Sequence, residues 1–307
     1  MSLILHHYPL SPFSEKIRAM LAYTNLEWTS CISSEAPPRD KLDLLTGGYG
    51  RIPVAQLGAD VFCDSNLIAH EIARMAALEG LDPYLLGPSS AEKMRVYEGK
   101  FFFACINRAF SLGLLGRFAK EKGVVELFKF LKDRVQMGRS ATISMGSPKS
   151  APKIIDNTLA ELEAELEQSG AAYIGGTMPG LLDFALYHGL WFVDVVGHRD
   201  IWGAHSVACA WYETMKQYQG NPKSQVSLDQ ALAIALRHEP KVVDGALLNS
   251  DDIGSLVSIT PADYRRLPVE GILVGEDANR WVIQRSTAET GAVHVHFPKQ
   301  GYCMAYA

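Results

Sequence analysis

Residues 50–65 have the sequence Gly-Arg-Ile-Pro-Val-Ala-Gln-Leu-Gly-Ala-Asp-Val-Phe-Cys-Asp-Ser, and this stretch decides the fold of the first part of the chain. The turn residues Gly58-Ala59-Asp60 separate two short apolar runs, a pattern that predicts a β-hairpin. Asp64-Ser65 follows the second run and is typical of a helix cap. Pro53, just before the first run, can hold a cis bond with Ile52, or it can be an ordinary trans proline that opens an edge strand.

The residues before this stretch predict a strand, a helix and a second strand. The apolar run Leu3-Ile4-Leu5 ends near Pro9, and residues 28–32 form a second short run of strand-forming residues. Between them, apolar side chains recur at helical spacing at Phe13, Ile17, Met20 and Leu21. The order βαβ followed by ββα is that of the thioredoxin fold.

The rest of the chain divides into a helical part and a β-rich part. Helical periodicity predicts helices near residues 90–118, 124–135, 151–168, 181–196 and 206–218. After a short helix at 228–237, five short runs predict a small, mostly antiparallel sheet or barrel at 256–259, 271–274, 281–284, 293–297 and 302–306. The predicted domains are a thioredoxin-like α/β domain (residues 1–80), an all-helical bundle (81–225) and a small β-rich domain (226–307).

We expect the β-rich domain to pack separately, because the period of its apolar residues changes from 3.6 to 2 after Pro240. A unit of this size buries only a small core, so it should lean on the helical domain. We expect it to supply no residue that binds the ligand of the functional site.

Composition and charge narrow the class of protein. Hydrophobic residues make up 48% of the 307 residues and charged residues 21%, which is enough apolar surface for sizeable cores. The net charge is −5 with no dense Lys/Arg block, so neither nucleic acid nor a membrane is an expected partner. The N-terminus lacks a signal-peptide pattern, and the five cysteines include no Cys-x-x-Cys pair. A cytoplasmic protein without a disulfide framework or a metal site fits these features.

Ser11 is the candidate catalytic residue, because it lies in Ser-Pro-Phe-Ser at the predicted start of the first helix. The N–H groups and the positive dipole end of a helix stabilise an anion, including a thiolate. A hydroxyl at the same place can donate a hydrogen bond to a sulfur. A plain helix cap, Ser followed by Pro, is the alternative interpretation.

Asp64 and Ser65 together can bind a group that carries both charges of a free amino acid. Ser65 and the first N–H groups of its helix suit a carboxylate, and Asp64 suits an ammonium group. A simple helix cap is again the alternative. If the Ile52–Pro53 bond is cis, the N–H and C=O of Ile52 form a free strand edge to which an extended tripeptide can add.

These three motifs, in this order, resemble the N-terminal domain of the soluble glutathione S-transferases. The resemblance covers about residues 1–220 and includes Tyr173-Ile174-Gly175-Gly176 with Asp183, which is similar to the buried capping motif of the family. The chain departs from that motif at Gly180, where the family usually has Ser or Thr. Gly is an acceptable cap, so this departure affects cap stability and not the fold.

The resemblance implies a role for each matching residue. Ser11 would activate the thiol of glutathione, the cosubstrate. Ile52 and Pro53, joined by the cis bond that the resemblance and their place before the hairpin predict, would contact its cysteinyl backbone. Asp64 and Ser65 would contact its γ-glutamyl group. Basic residues, Arg51 and more weakly Lys41, would meet the glycyl carboxylate. Tyr8 is the competing hydroxyl, disfavoured because Pro9 follows it directly.

The resemblance further implies a homodimer and a second substrate, an electrophilic small molecule held between the domains. The residues expected there are Phe101, Phe102, Phe103, Arg108 and Phe110, which would otherwise fill the core of the helical bundle. The leading hypothesis is a glutathione transferase that takes part in detoxification. The alternatives are a non-catalytic glutathione-binding scaffold or sensor, and a structural module without a glutathione site.

His294 and His296 lie on one face of a predicted strand, as in some metal sites. No third ligand with clear spacing accompanies them. A partly exposed strand face is therefore the expected interpretation.

Overall fold

The computed structural model describes residues 2–80, 85, 90–241 and 251–307, so residues 81–84, where the predicted helical domain begins, lie outside the described part. The first domain consists of β1 (Leu3–His7), α1 (Pro12–Thr24), β2 (Trp28–Ile32), α2 (Asp40–Thr46), β3 (Val54–Leu57), β4 (Asp60–Cys63) and α3 (Ser65–Leu78). Strand β1 pairs in parallel with β2 and antiparallel with β3, and β3 pairs antiparallel with β4. The predicted thioredoxin-like domain is confirmed.

The helical part consists of α4 (Ala91–Arg95), α5 (Phe102–Ala109), α6 (Leu112–Lys122), α7 (Val124–Arg139), α8 (Ala151–Ser169), α9 (Leu181–Trp191) and α10 (Ser206–Met215). The expectation of one helix over residues 90–118 is wrong. The backbone leaves helical geometry at Gly99 (φ −110°, ψ −105°), which glycine tolerates. The helix is interrupted again at Ser111, which is the N-cap of α6. Its hydroxyl accepts a hydrogen bond from the Leu114 N–H (3.2 Å).

Helix α9 is the buried centre of the bundle, and the predicted capping motif is confirmed at its start. The Asp183 carboxylate accepts hydrogen bonds from the N–H groups of Ile174 (2.9 Å) and Gly180 (2.9 Å) and from the Trp211 indole (2.9 Å). Since glycine has no side chain to cap the helix, the aspartate satisfies these buried donors instead.

The C-terminal part consists of β5 (Ser224–Gln225), α11 (Leu228–Leu236), β6 (Leu256–Pro261), β7 (Val269–Glu276), β8 (Arg280–Thr287), β9 (Gly291–Pro298) and β10 (Tyr302–Tyr306). All strands form one ten-stranded sheet in the order β10-β6-β7-β8-β9-β4-β3-β1-β2-β5. We call strands β6–β10 and their loops the appended strands.

The expectation that the appended strands pack separately is wrong, because β9 continues the thioredoxin-like sheet. It pairs in parallel with β4, with Val295 opposite Val61. Without β9, strand β4 would present a free edge of N–H and C=O groups. The appended strands share an apolar core with the first domain, whose members include Leu42, Val61, Val293, Val295 and Phe297. They therefore lean mainly on the N-terminal domain rather than on the helices.

The two histidines of β9 are buried, so the expected partly exposed face is also wrong. His294 is 8% exposed and His296 7%. The His296 ring stacks on Phe62 (centroids 4.5 Å apart), and its Nε2 lies 3.0 Å from Asp60 Oδ1. Within the described ranges, no group of three or more His, Cys, Asp or Glu residues could hold a metal ion.

Among the described helices, no single one is long and apolar enough to cross a bilayer. The bent pair Ala91–Ala109 and Leu112–Lys122, with 77° between its halves, is long and apolar enough when taken together.

Candidate functional site

Ser11 caps α1 and faces a small pocket between the two domains. Its hydroxyl oxygen accepts a hydrogen bond from the Ser14 N–H (3.2 Å), and the residue is 2% exposed. Because a hydroxyl combines one donor with two acceptor lone pairs, this bond leaves its proton available for another acceptor. Tyr8 is partly buried and lines the same pocket, so both candidate hydroxyls remain within it.

The Ile52–Pro53 bond is cis, as predicted. Both residues line a larger cavity of about 1400 Å³, and Ile52 also lines the small pocket. Ile52 therefore lies where the two spaces meet.

Asp64 and Ser65 lie on the wall of the larger cavity. Asp64 is the N-cap of α3, in an unusual backbone conformation with φ +81°. Its Oδ1 accepts a hydrogen bond from the Asn66 N–H (2.8 Å), and its Oδ2 accepts one from the Tyr302 hydroxyl (3.0 Å). Burial raises the pKa of this carboxyl, while the nearby charge of Arg51 acts in the opposite direction.

An ion pair between buried Lys16 and Glu98 continues this wall, since Glu98 and Asn66 also line the larger cavity. The Lys16 ammonium donates to Glu98 Oε1 (2.5 Å) and to Asn66 Oδ1 (2.6 Å), and Asn66 Nδ2 donates to Glu98 Oε2 (2.8 Å). Burial alone would raise the pKa of Glu98, but the Lys16 charge holds it below its usual value. Sequence analysis missed this pair, although a lysine three residues after Phe13, on the apolar face of α1, was a signal.

Arg51 is held by the appended strands. Its guanidinium donates to the Asp263 carboxylate and to the Tyr264 carbonyl, and lies over the Tyr264 ring (4.0 Å to the centroid). Asp263, Tyr264 and Tyr302 line the larger cavity, so this part of the chain forms part of its wall. The expectation that it supplies no residue that binds glutathione stays a prediction. Lys41 instead pairs with Asp229 (2.6 Å) and lines neither space.

The small pocket, about 230 Å³, is largely apolar. Phe102, Phe103 and Phe110 line it, as expected for a second-substrate site, whereas Phe101 is fully buried and Arg108 reaches towards the Asp200 carbonyl (3.4 Å). The two spaces share four lining residues: Phe13, Arg51, Ile52 and Tyr264. Ser11 thus lies beside an apolar pocket that adjoins the Asp64 end of the larger cavity.

Comparison with known families gives the identity of both domains. The family model described as the glutathione S-transferase N-terminal domain matches residues 5–80, and the C-terminal domain model matches residues 136–214. The chain belongs to the glutathione S-transferase family. Ser11, Ile52, Pro53, Asp64 and Ser65 lie within the first match.

One solved structure is similar over the whole chain, including the appended strands. A GST-like protein from Pseudomonas syringae is 25% identical with a TM-score of 0.78, and the match covers 100% of both chains. FzlA from C. crescentus is 21% identical over 70% of this chain and 88% of its own, with a TM-score of 0.48. A glutathione S-transferase from Methylobacillus flagellatus, solved with glutathione bound, is 16% identical over 72% of this chain and 100% of its own, with a TM-score of 0.47. No curated protein sequence matches significantly.

Proposed function

We propose that this member of the glutathione S-transferase family transfers glutathione to an apolar electrophile, with Ser11 as the catalytic residue. The observation that carries the proposal is the position of Ser11, at a helix start beside the apolar pocket and next to the cavity wall formed by Asp64 and Ser65. A thiol whose peptide is bound at Asp64 and Ile52 would reach this hydroxyl.

The γ-glutamyl group would bind at the start of α3. Its carboxylate would meet Ser65 and the first N–H groups of the helix, and its ammonium would meet Asp64. The cysteinyl backbone would lie along Ile52, which places the sulfur near Ser11.

Thiol activation needs a modest stabilisation. A Cys-like thiol has a pKa of about 8.5, so lowering it by roughly two units requires about 2.7 kcal/mol. A helix N-terminus contributes about 0.3–1 kcal/mol and a hydrogen bond to a charged group about 1.5–3 kcal/mol. Together they reach that value without a further charged group.

The reaction follows from this stabilised thiolate. The thiol proton passes to solvent, and the Ser11 hydroxyl donates its hydrogen bond to the sulfur anion. The sulfur lone pair then forms a bond to the electrophilic carbon, and either a leaving group departs with its bonding electrons or the adduct takes a proton from water.

The small pocket suggests the class of acceptor. Its volume lies below the range of about 300–1,000 Å³ that is common for drug-sized ligands, so a small apolar molecule fits it. Arg39 lines it, is 7% exposed, and donates to the carbonyls of Ser34, Glu35 and Gly50. The described ion pairs do not include Arg39, although the charge of Asp133 acts on its guanidinium. An acidic substituent on an otherwise apolar acceptor would therefore meet a buried cation in this pocket.

Ser11→Ala tests the proposal. We expect turnover to fall at least about tenfold, equivalent to about 1.4 kcal/mol, while glutathione affinity stays within a few fold. The substitution also removes a helix cap, which costs about 0.5–2 kcal/mol of stability. Ser227→Ala is the matched control, because Ser227 caps α11 with a bond of the same length (3.2 Å) but lines neither space. Full activity of Ser11→Ala, with loss in Tyr8→Phe, would assign the role to Tyr8.

A glutathione-binding protein without turnover is the second candidate. The ion pair between Arg51 and Asp263 favours it, because the cation expected to bind the glycyl carboxylate already has a partner. Calorimetry that shows glutathione binding, with no conjugation to any electrophile tested, would select this function.

The homodimer and the cytoplasmic location rest on the resemblance and on the sequence, and we propose both on that basis. Sedimentation analysis of the purified chain tests the first, and fractionation of the source cells tests the second.

A further inference from the structure

Tyr302 connects the appended strands to the Asp64 wall. It begins β10, is 7% exposed, and donates its hydroxyl proton to Asp64 Oδ2 (3.0 Å). The hydroxyl of Tyr49 lies 2.8 Å from the same oxygen of Tyr302. Since Tyr302 has one proton and gives it to the carboxylate, Tyr49 is the donor in this second bond. The result is a directed chain from Tyr49 through Tyr302 to Asp64.

The hydrogen bonds to Asp64 show how Tyr49 and Tyr302 can orient its carboxylate. Oδ1 accepts from the Asn66 N–H as part of the helix cap, and Oδ2 accepts from the Tyr302 hydroxyl. An ionised carboxylate offers about four lone-pair sites, so each oxygen keeps one site for an ammonium N–H. The two bonds together fix the plane of the carboxylate and hence the direction of the remaining lone pairs.

Packing of the appended strands holds Tyr302 in place. Its ring lies 6.0 Å from the Phe297 ring, and the Arg51 guanidinium lies 5.8 Å from its centroid. Tyr49, Phe297 and Tyr302 belong to the apolar core that the appended strands share with the first domain. The hydroxyl therefore reaches Asp64 only while β9 and β10 are docked.

We propose that the appended strands complete the γ-glutamyl end of the cosubstrate site, with Tyr302 as a positioning residue for the Asp64 carboxylate. This inference rests on the proposed function, since it concerns the same ligand. It assigns β10 a part in recognising the ammonium group of that ligand, acting through the Asp64 carboxylate.

A positioning role has a consequence for pH that a purely structural role lacks. A hydroxyl that donates to a carboxylate favours its ionised form and lowers its pKa. Removal of the donor raises the pKa of Asp64, so the carboxylate becomes protonated at higher pH. Glutathione affinity falls as the pH is lowered and Asp64 becomes protonated, and this acid limb of the binding curve then shifts to higher pH.

Tyr302→Phe in the full-length chain tests the proposal, with Tyr306→Phe as the matched control. Tyr306 lies on the same strand, but its hydroxyl bonds to Asp252 and its side chain is 69% exposed. Glutathione binding is measured by calorimetry across the acid range, together with thermal melting of each variant. We expect Tyr302→Phe to weaken binding by about three- to tenfold and to shift the acid limb upwards, and Tyr306→Phe to match the parent protein.

The outcomes separate this inference from the proposed function. If the parent binds glutathione and Tyr302→Phe shows the same affinity and acid limb, the inference is wrong and the proposed function stands. If the parent binds no glutathione, the proposed function fails and the inference fails with it. Should Tyr302→Phe not fold, Tyr49→Phe decides, because it keeps the Tyr302 donor and removes only the bond that orients it. A smaller weakening with a smaller upward shift supports the inference, and unchanged binding overturns it.

Discussion

Phe297→Ala is the substitution that tests most sharply whether the appended strands and the first domain share one core. Phe297 lies on β9 and is fully buried. Its ring is 5.8 Å from that of Tyr49, in the first domain, and 6.0 Å from that of Tyr302, on β10. The substitution therefore removes packing on both sides of the junction.

The size of the effect follows from this burial. Truncation of a fully buried phenylalanine to alanine costs about 3–5 kcal/mol, against a total stability of about 5–15 kcal/mol for typical domains. Phe297→Leu keeps most of the volume and should cost less than about 1.5 kcal/mol. Phe128→Ala is the surface control, because Phe128 is 72% exposed and such changes stay within about 0.5 kcal/mol.

Urea unfolding combined with hydrogen–deuterium exchange measures the effect. We expect Phe297→Ala to lower the unfolding midpoint and to speed amide exchange in β3 and β4 as well as in β6–β10. If exchange increases only in β6–β10 while β3 and β4 keep full protection, the two parts have separate cores and our description of the junction is wrong.

Three further predictions concern the site and its stability. Ser65→Ala should weaken glutathione binding by about 1–3 kcal/mol, and unchanged affinity in calorimetry would remove the γ-glutamyl assignment. Of two apolar acceptors that differ only by a carboxylate, the charged one should show the lower KM at low salt; equal KM values would contradict a role for Arg39. Burial lowers the pKa of His6 and of His188 to about 4, whereas both titrate near 6.5 when unfolded. Their neutral forms are compatible with the fold above pH 6.5, so stability should fall towards pH 4 by up to about 1.4 kcal/mol per pH unit for each histidine; a urea midpoint that stays constant over this range would contradict it.

Local pattern was sufficient to predict the thioredoxin-like domain. The hairpin after Ile52 and the cap at Asp64 each depend on a few neighbouring residues, whose conformational preferences act within one turn or one strand. The cis bond at Pro53 needed the family resemblance as well, because the local motif also fits a trans proline. The break at Gly99 was missed, because apolar spacing continues across it while the backbone does not.

The long-range pairing could not be predicted in the same way. Strand β9 reaches β4 across more than two hundred residues of sequence, and no short motif encodes that contact. The sequence of β9 offered one signal, because it carries apolar residues on one face and His294 and His296, without a fully charged residue, on the other. In the structure both faces are buried, as in strands covered on both sides. The bonds from Tyr302 to Asp64 and from Arg51 to Asp263 depend on this pairing, so they were invisible in the sequence.

The ionisation of bound glutathione tests the central claim most directly. The ultraviolet absorbance of the thiolate, recorded against pH as a difference between bound and free glutathione, gives the pKa of the bound thiol. We expect a value at least about two units below the usual 8.5 in the parent protein, and a return towards 8.5 in Ser11→Ala. A bound thiol that ionises near 8.5 in the parent protein, or a pKa that Ser11→Ala leaves unchanged, would contradict thiol activation by Ser11.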